Sequence, residues 1–388
     1  MNNVIMATGN RQQATGNRQQ ATGNRQQATG NSHNYGLDLL RIVAMFMIVM
    51  IHVLGYGGVR DTPAKLTVNY NIAWLMNTAA YCAVNCYALI SGYNGLHARH
   101  KVSGIIALWL KAAFYGVAIT AAVCVAAPGS VGVREWVKAC FPVMFRQYWY
   151  FTAYFALFPF MKLLNAGVDS LPRKTLRNSL IGIIFVLSVM QTAFHRDVFG
   201  TSGGFSMLWL MVMYILGAYV RKYDALRNVG SLAALSGYAA AVVIAWGAKL
   251  AAEYITLRLT GTARGGNVLT LYTSPMMILA ALCLLAVFSR LRLSGLALKA
   301  VKILAPGTFS VYLIHLQRLL LRHAITGRFT AYASYSPLKM VCAVIITTLA
   351  IYILCAAVDF LRAMIFRASG IEALPAKIER MLTKHEGL

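Results

Sequence analysis

From Leu37 onward the chain is a succession of long apolar runs separated by short basic turns. Crossing a bilayer core takes about 17 to 25 helical residues, and such runs recur at 37–57, 72–95, 104–127, 148–165, 179–195, 205–220, 232–252, 268–288, 303–325 and 338–361. In lipid every backbone N–H and C=O must be satisfied within its own segment, so runs of this kind fold as helices. Composition excludes a soluble domain: 59% of residues are hydrophobic and 12% charged, against roughly 45–50% and about 25% in globular chains. The expected fold is an all-α integral membrane protein with about ten transmembrane helices.

A net charge of +25 is the footprint of many nucleic-acid binders. Here the basic residues punctuate apolar runs instead of covering one face, which is how a multi-span protein marks its loops. The expected partner is membrane lipid, and no nucleic acid is expected. Most Lys and Arg fall on the side of the N-terminus, in runs such as Arg173, Lys174 and Arg177, or Arg290, Arg292, Lys299 and Lys302. Both termini are therefore expected to be cytoplasmic, with a multi-span unit over 37–361 and a basic C-terminal tail over 362–388. Tyr148, Trp149 and Tyr150 suit an interfacial aromatic belt. The seven cysteines are scattered without metal-ligand spacing and read as small buried hydrophobes; no metal is expected.

Residues 1–36 form a polar tail in which ATGNRQQ recurs in tandem. It has no apolar run, so it is expected to be disordered and is not a signal peptide. A coiled coil needs two apolar positions per heptad, which this repeat lacks. The codons GCA ACA GGC AAC AGG CAA CAG spell the unit and are one heptanucleotide, GCAACAG, read through in three frames. Such a tract slips during replication, so expression is expected to switch on and off by frameshift.

Ionisable residues inside a span are costly and are functional candidates by default. The first span, YGLDLLRIVAMFMIVMIHVLGYGG, contains Asp38, Arg41 and His52. Arg41 and His52 are eleven residues apart, which at about 100° per residue returns to within roughly 20° of the same direction. Their axial separation is about 16 Å, and Asp38 reaches Arg41 as an i,i+3 pair. Arg41 can also snorkel at a boundary and Asp38 can cap the helix start. His52, among Met50, Ile51, Val53 and Leu54, must find a hydrogen bond in the bundle or line a polar cavity. Desolvation favours the neutral imidazole, the form a general base needs.

The spacing Arg, ten residues, His in the first span resembles the signature of the membrane acyltransferase 3 family. Three further segments resemble the same family in order: CYALISGYNGL, YWYFTAYFALFPF and GTFSVYLIHLQ. The resemblance covers about residues 37–361. One departure is plain: where the family often has Arg-x-x-Arg after the second helix, this chain has HARHK, with Arg99 and Lys101. Those two residues are either a phosphate clamp for the donor or a positive-inside loop.

The resemblance implies a bacterial inner-membrane O-acyltransferase that moves an acyl group, usually acetyl from acetyl-CoA, to a hydroxyl of a surface or lipid-linked carbohydrate. Its catalytic candidates are His52, as base or acyl carrier, with Arg41 and Asp38. No extra-membranous domain of the kind that longer relatives carry is expected after the last span. The repeat tail fits a variable surface structure, so a polysaccharide acceptor is expected.

His315, Arg318 and Arg322 fall at i, i+3 and i+7 in the ninth run and are expected to share a face. His315 is a core hydrogen-bonder or a substrate contact. Arg318 and Arg322 end the helix or hold an acidic glycan. Trp149 is the fourth substrate-binding candidate. Lys249 and Glu253 form an i,i+4 pair. The alternative function is a transporter or flippase using Arg and His as a proton relay; against it, no inverted repeat is visible. A glycan polymerase would be expected to have a long outer loop, and the loops here are short.

Overall fold

The computed structural model describes residues 33–98 and 100–384; the tandem-repeat tail lies outside the described residues. Helices account for 78% of the structure, and there is no strand among the described residues. The chain is an all-α integral membrane protein.

In chain order the helices are α1 (Tyr35–Leu54), α2 (Val68–Tyr81), α3 (Ala83–Gly95), α4 (Val102–Ala126), α5 (Val133–Cys140), α6 (Trp149–Ser170), α7 (Arg173–Phe194), α8 (Met207–Tyr223), α9 (Ser231–Thr260), α10 (Pro275–Arg290), α11 (Gly295–His315), α12 (Pro337–Ala368) and α13 (Leu374–Lys384). All of the expected apolar runs fall on helix. Seven helices (α1, α4, α6, α7, α9, α11 and α12) are long and apolar enough to cross a bilayer. The difference from ten has three sources. The second run is divided at Cys82 into α2 and α3, and α8 and α10 have 17 and 16 residues. At 1.5 Å per residue the last is about 24 Å long, shorter than a bilayer core of about 30 Å.

The outer surface is more apolar than that of a soluble protein. Along α12, Ile346 and Leu354 are 65% and 66% exposed, while Thr348 and Asp359 on the same helix are 0% and 6% exposed. Polar groups turned inward and apolar ones outward suit a hydrocarbon surround, because an unpaired polar group there has no water to bond. The enclosed charges are paired within one helical turn: Asp38 with Arg41, Lys249 with Glu253, and Asp359 with Arg362.

Helix direction follows from side-chain contacts. Tyr87 Oη on α3 donates to the Arg41 carbonyl at 2.7 Å and Arg60, just beyond α1, reaches Asn77 on α2 at 3.2 Å, so this hairpin is antiparallel. Loops cross-link at each end. At one end Gly327 N–H donates to Tyr56 O at 2.9 Å, Phe329 N–H to Gly57 O at 3.0 Å and Lys65 Nζ to Ala263 O at 2.7 Å. At the other, Asn165 donates to Gly95 O at 2.8 Å and Lys222 to Val168 O at 2.7 Å. His52 lies toward the first end and Arg41 toward the second.

One expectation is revised. The C-terminal segment is not simply a tail: α12 continues to Ala368, and α13 lies against α4, with Glu379 bonded to Ser103. His100, in the turn after α3, is half-buried, with Nε2 3.0 Å from Gly95 O and 3.1 Å from Asn165.

Helices α3 and α8 run parallel, since Asn85 accepts from Trp209 Nε1 at 3.0 Å near one end and Arg221 lies 5.2 Å from the Tyr93 ring near the other. Gly92 and Gly217 permit their close approach. A Cβ on Gly92 would collide with the backbone of Tyr214, and one on Gly217 with the backbone of Leu89. Gly92→Ala or Gly217→Ala is expected to destabilise the protein by about 1–3 kcal/mol, the usual range for overpacking. Gly104→Ala, which meets open space, is expected to be neutral. Thermal unfolding in detergent followed by size exclusion reads the difference.

Candidate functional site

His52 is in the last turn of α1, and His315 ends the helical part of α11 at Thr308–His315. Their rings meet: His52 Nδ1 is 2.9 Å from His315 Nε2, and His315 Nδ1 is 2.6 Å from the carbonyl of Val311. These distances set the proton positions. A carbonyl only accepts, so His315 carries its proton on Nδ1 and, when neutral, offers Nε2 as an acceptor. His52 must then donate through Nδ1, and its Nε2 is left with a lone pair. No hydrogen bond to His52 Nε2 is made among the described residues. A base held in one tautomer by a second histidine is the result.

Two cavities meet at His52. The inner one, about 40 Å³, extends toward the Arg41 end and is lined by Met45, Ile48, Val84, Tyr87, Tyr150 and Phe309, among others. The outer one, about 580 Å³ and open, is lined by Arg60, Asp61, Arg146, Gln147, Tyr148 and Arg318, among others. His52, Ile51, Trp149, Tyr272 and Tyr312 belong to both. Trp149 and Tyr272 are stacked with centroids 6.0 Å apart, and Tyr272 stacks on Tyr81 at 4.5 Å. A small, mostly apolar space and a wide basic, aromatic-walled one thus share the wall that carries His52.

Comparison with known families gives one finding: residues 34–356 match the family model Acyl_transf_3, described as an acyltransferase domain. The chain belongs to the acyltransferase 3 family. No match to a curated protein or a solved structure was found. The protein is a multi-pass membrane acyltransferase, which displaces the transporter and polymerase alternatives.

The expected site residues of this acyltransferase divide by position. Arg41 and Asp38 form their ion pair, but Arg41 is about 16 Å along α1 from His52 and lines neither cavity. Between them on the same face stand Met45 and Ile48, both buried. Trp149 and Arg318 line the outer cavity. His315 is 1% exposed and lies behind His52 instead of on a cavity wall.

The shared face of His315, Arg318 and Arg322 is overturned. The helix ends at His315, and Gln317 starts a new turn, its side chain accepting from Leu319 N–H at 2.7 Å and Leu320 N–H at 3.0 Å. That break lets Arg318 reach the Arg146 carbonyl at 3.3 Å, while Arg322 is exposed and lines neither cavity.

Arg99 lies outside the described residues. Lys101 is exposed at the start of α4. There Glu379 is held below the usual carboxylate range, chiefly by its hydrogen bond to the Ser103 side chain, with Lys101 adding to the effect. Sequence reasoning missed Tyr87, Tyr150, Tyr272 and Arg60. Tyr150 carried a signal in the aromatic cluster beside Trp149, and Tyr87 lies in the family-like segment CYALISGYNGL; Tyr272 and Arg60 carried none.

The Lys249–Glu253 pair is enclosed, with side chains 0% and 5% exposed, and Tyr70 Oη bonds both partners. It lines neither cavity, and through Tyr70 it joins α9 to α2. Lys249→Met alone leaves a buried carboxylate and is expected to cost about 3–5 kcal/mol. The double variant Lys249→Met/Glu253→Leu is expected to recover most of that loss, with acyl transfer unchanged. Thermal unfolding of both variants checks it.

Proposed function

We propose that this acyltransferase moves an acyl group from cytoplasmic acyl-CoA to a hydroxyl of a carbohydrate at the outer face of a bacterial inner membrane, with His52 as the general base. The observation that carries this reading is the position of His52 between the two cavities, with its Nδ1 committed to His315.

In this reading both termini are cytoplasmic, the acyl thioester enters from the Arg41 end, and the acceptor hydroxyl occupies the outer cavity. His52 Nε2 takes the hydroxyl proton as the oxygen attacks the thioester carbonyl. The C–S bond of the resulting tetrahedral adduct breaks, an ester forms, and the departing thiolate receives the proton back from His52. The Nδ1–H bond to His315 keeps the ring oriented and supports the imidazolium that forms in transit.

A carbohydrate acceptor is supported by the aromatic walls of the outer cavity, Trp149, Tyr272 and Tyr148, and by Arg60, Arg146 and Arg318. Sugar faces lie on aromatic rings, and arginines bind carboxylate or phosphate substituents. Arg41, held by Asp38, is assigned to the donor's passage, because its distance from His52 excludes contact of both with one reacting atom. Arg99 and Lys101, in the basic turn between α3 and α4, are assigned to the phosphates of coenzyme A. A frameshift-prone repeat suits control of a variable surface polysaccharide; scattered synonymous codons in the repeat DNA would remove that part of the reading.

His52→Ala is expected to lower transfer by about 100- to 10,000-fold at normal expression. His315→Phe is expected to lower kcat while leaving KM for acyl-CoA and the amount of folded protein unchanged. Retained activity in Arg41→Lys would mean that charge suffices there, and loss would show dependence on the guanidinium fork. The deciding measurement is alkali-labile O-acetyl on the surface polysaccharide of cells carrying the wild type, His52→Ala or no copy. Ester confined to the wild type is the expected result, and equal ester in all three sinks the proposal.

A further inference from the structure

The inner cavity has a chemistry of its own. Met45 and Ile48 stand seven and four residues before His52 on one face of α1, about 10 Å and 6 Å along the axis from it. They form a floor beneath the imidazole. Val84 and Phe309 close the sides. No Lys, Arg, Asp or Glu lines this space.

Its size is informative. A cavity of about 40 Å³ has room for about three water molecules, and an acetyl group has three non-hydrogen atoms. A longer chain would have to displace Met45 or Ile48, which are 2% and 7% exposed. A chain ending in a carboxylate would be stranded without a counter-ion, a cost that buried charges do not bear unpaired.

One tyrosine hydroxyl in the lining has no partner among the described residues. Tyr87 Oη donates to the Arg41 carbonyl, Tyr312 Oη accepts from Tyr150 N–H, and Tyr272 is bonded to Tyr81. Tyr150 Oη is buried with no partner among the described residues. A buried hydroxyl without a partner in an otherwise apolar cavity calls for a ligand with one acceptor. An acyl carbonyl carrying a short alkyl tail has that composition.

Resting on the reading of His52 as the transfer centre, we propose that the inner cavity is the acyl pocket: Tyr150 donates to the acyl carbonyl, and Met45 and Ile48 restrict the acyl group to a short, uncharged chain. The same hydroxyl would then hold the oxyanion as the acceptor oxygen adds to the carbonyl. Met45 and Ile48 are specificity-determining residues that contact only the tail.

The test offers acetyl-, propionyl-, butyryl- and succinyl-CoA to membrane vesicles containing the full chain and the polysaccharide acceptor. The wild type is expected to use acetyl- and propionyl-CoA, to lose about tenfold or more in kcat/KM at butyryl, and not to use succinyl-CoA. Ile48→Ala and Met45→Ala, each opening the floor by three heavy atoms, are expected to raise the butyryl-to-acetyl ratio about tenfold or more. Leu316→Ala, which lines only the outer cavity, is expected to keep the wild-type ratio. Tyr150→Phe is expected to lower kcat for acetyl about 100-fold with KM little changed. Equal use of all four donors by the wild type, a ratio unmoved in both floor variants, or full activity in Tyr150→Phe would overturn the pocket. Transfer from no donor at all by the wild type would instead overturn the functional reading beneath it.

Discussion

The hydrogen bond between His52 and His315 is the interaction on which the rest of the site depends. An imidazole inside an apolar helix has no water to bond, so its N–H must find an acceptor elsewhere in the bundle. The acceptor lies 263 residues away in the chain, and the contact therefore brings α1 and α11 together at one depth. The Val311 carbonyl then decides the direction of every proton in the chain, because it can only accept. Both cavities share the ring that this arrangement orients.

The buried charges obey the same rule in a different way. Asp38–Arg41, Lys249–Glu253 and Asp359–Arg362 are satisfied within a turn of their own helices, and Tyr70 and Tyr115 add bonds to the last two. A locally satisfied pair keeps its partner wherever the helix docks, so it carries little information about a site. A group satisfied only by a distant helix and facing a cavity is different, because its partner exists only in the assembled fold. His52 meets that condition, and Lys249 does not. Intramembrane charge alone would have ranked them together.

This distinction also explains what was legible beforehand. The helical runs could be read because hydrocarbon permits so few solutions for the backbone, and the i,i+3 and i,i+4 pairs because spacing alone sets them. The face shared by Arg41 and His52 was visible for the same reason. The break after His315 was not: SVYLIHLQRLLLRHAI contains no Gly or Pro to mark an end, and the turn is made by Gln317 capping the next two residues with its side chain. Tyr272 and Arg60 reach the cavities from loops at the His52 end, and loop conformation leaves no periodic trace. Trp149 was found through local resemblance, whereas its stacking partner Tyr272, 123 residues later, required the fold.

The Arg41–Asp38 pair constrains how a donor can be drawn in. In the proposed reading the two side chains together carry no net charge and exert little long-range pull on an anionic thioester, so attraction at that end comes from the basic turns. What the pair can supply is orientation. Asp38 holds one edge of the guanidinium, which leaves other N–H groups in a fixed plane, and Tyr87 ties the Arg41 backbone to α3 at the rim of the inner cavity. The stripe Arg41, Met45, Ile48, His52 then changes along α1 from a hydrogen-bonding fork, through an apolar floor, to a base. In an acyl thioester the carbonyl stands between the carrier's sulfur and the alkyl group, so in the proposed reading a carbonyl held at His52 turns its short alkyl group back onto Met45 and Ile48. A single helical face suffices to present fork, floor and base because positions at i, i+4, i+7 and i+11 remain in register over three turns.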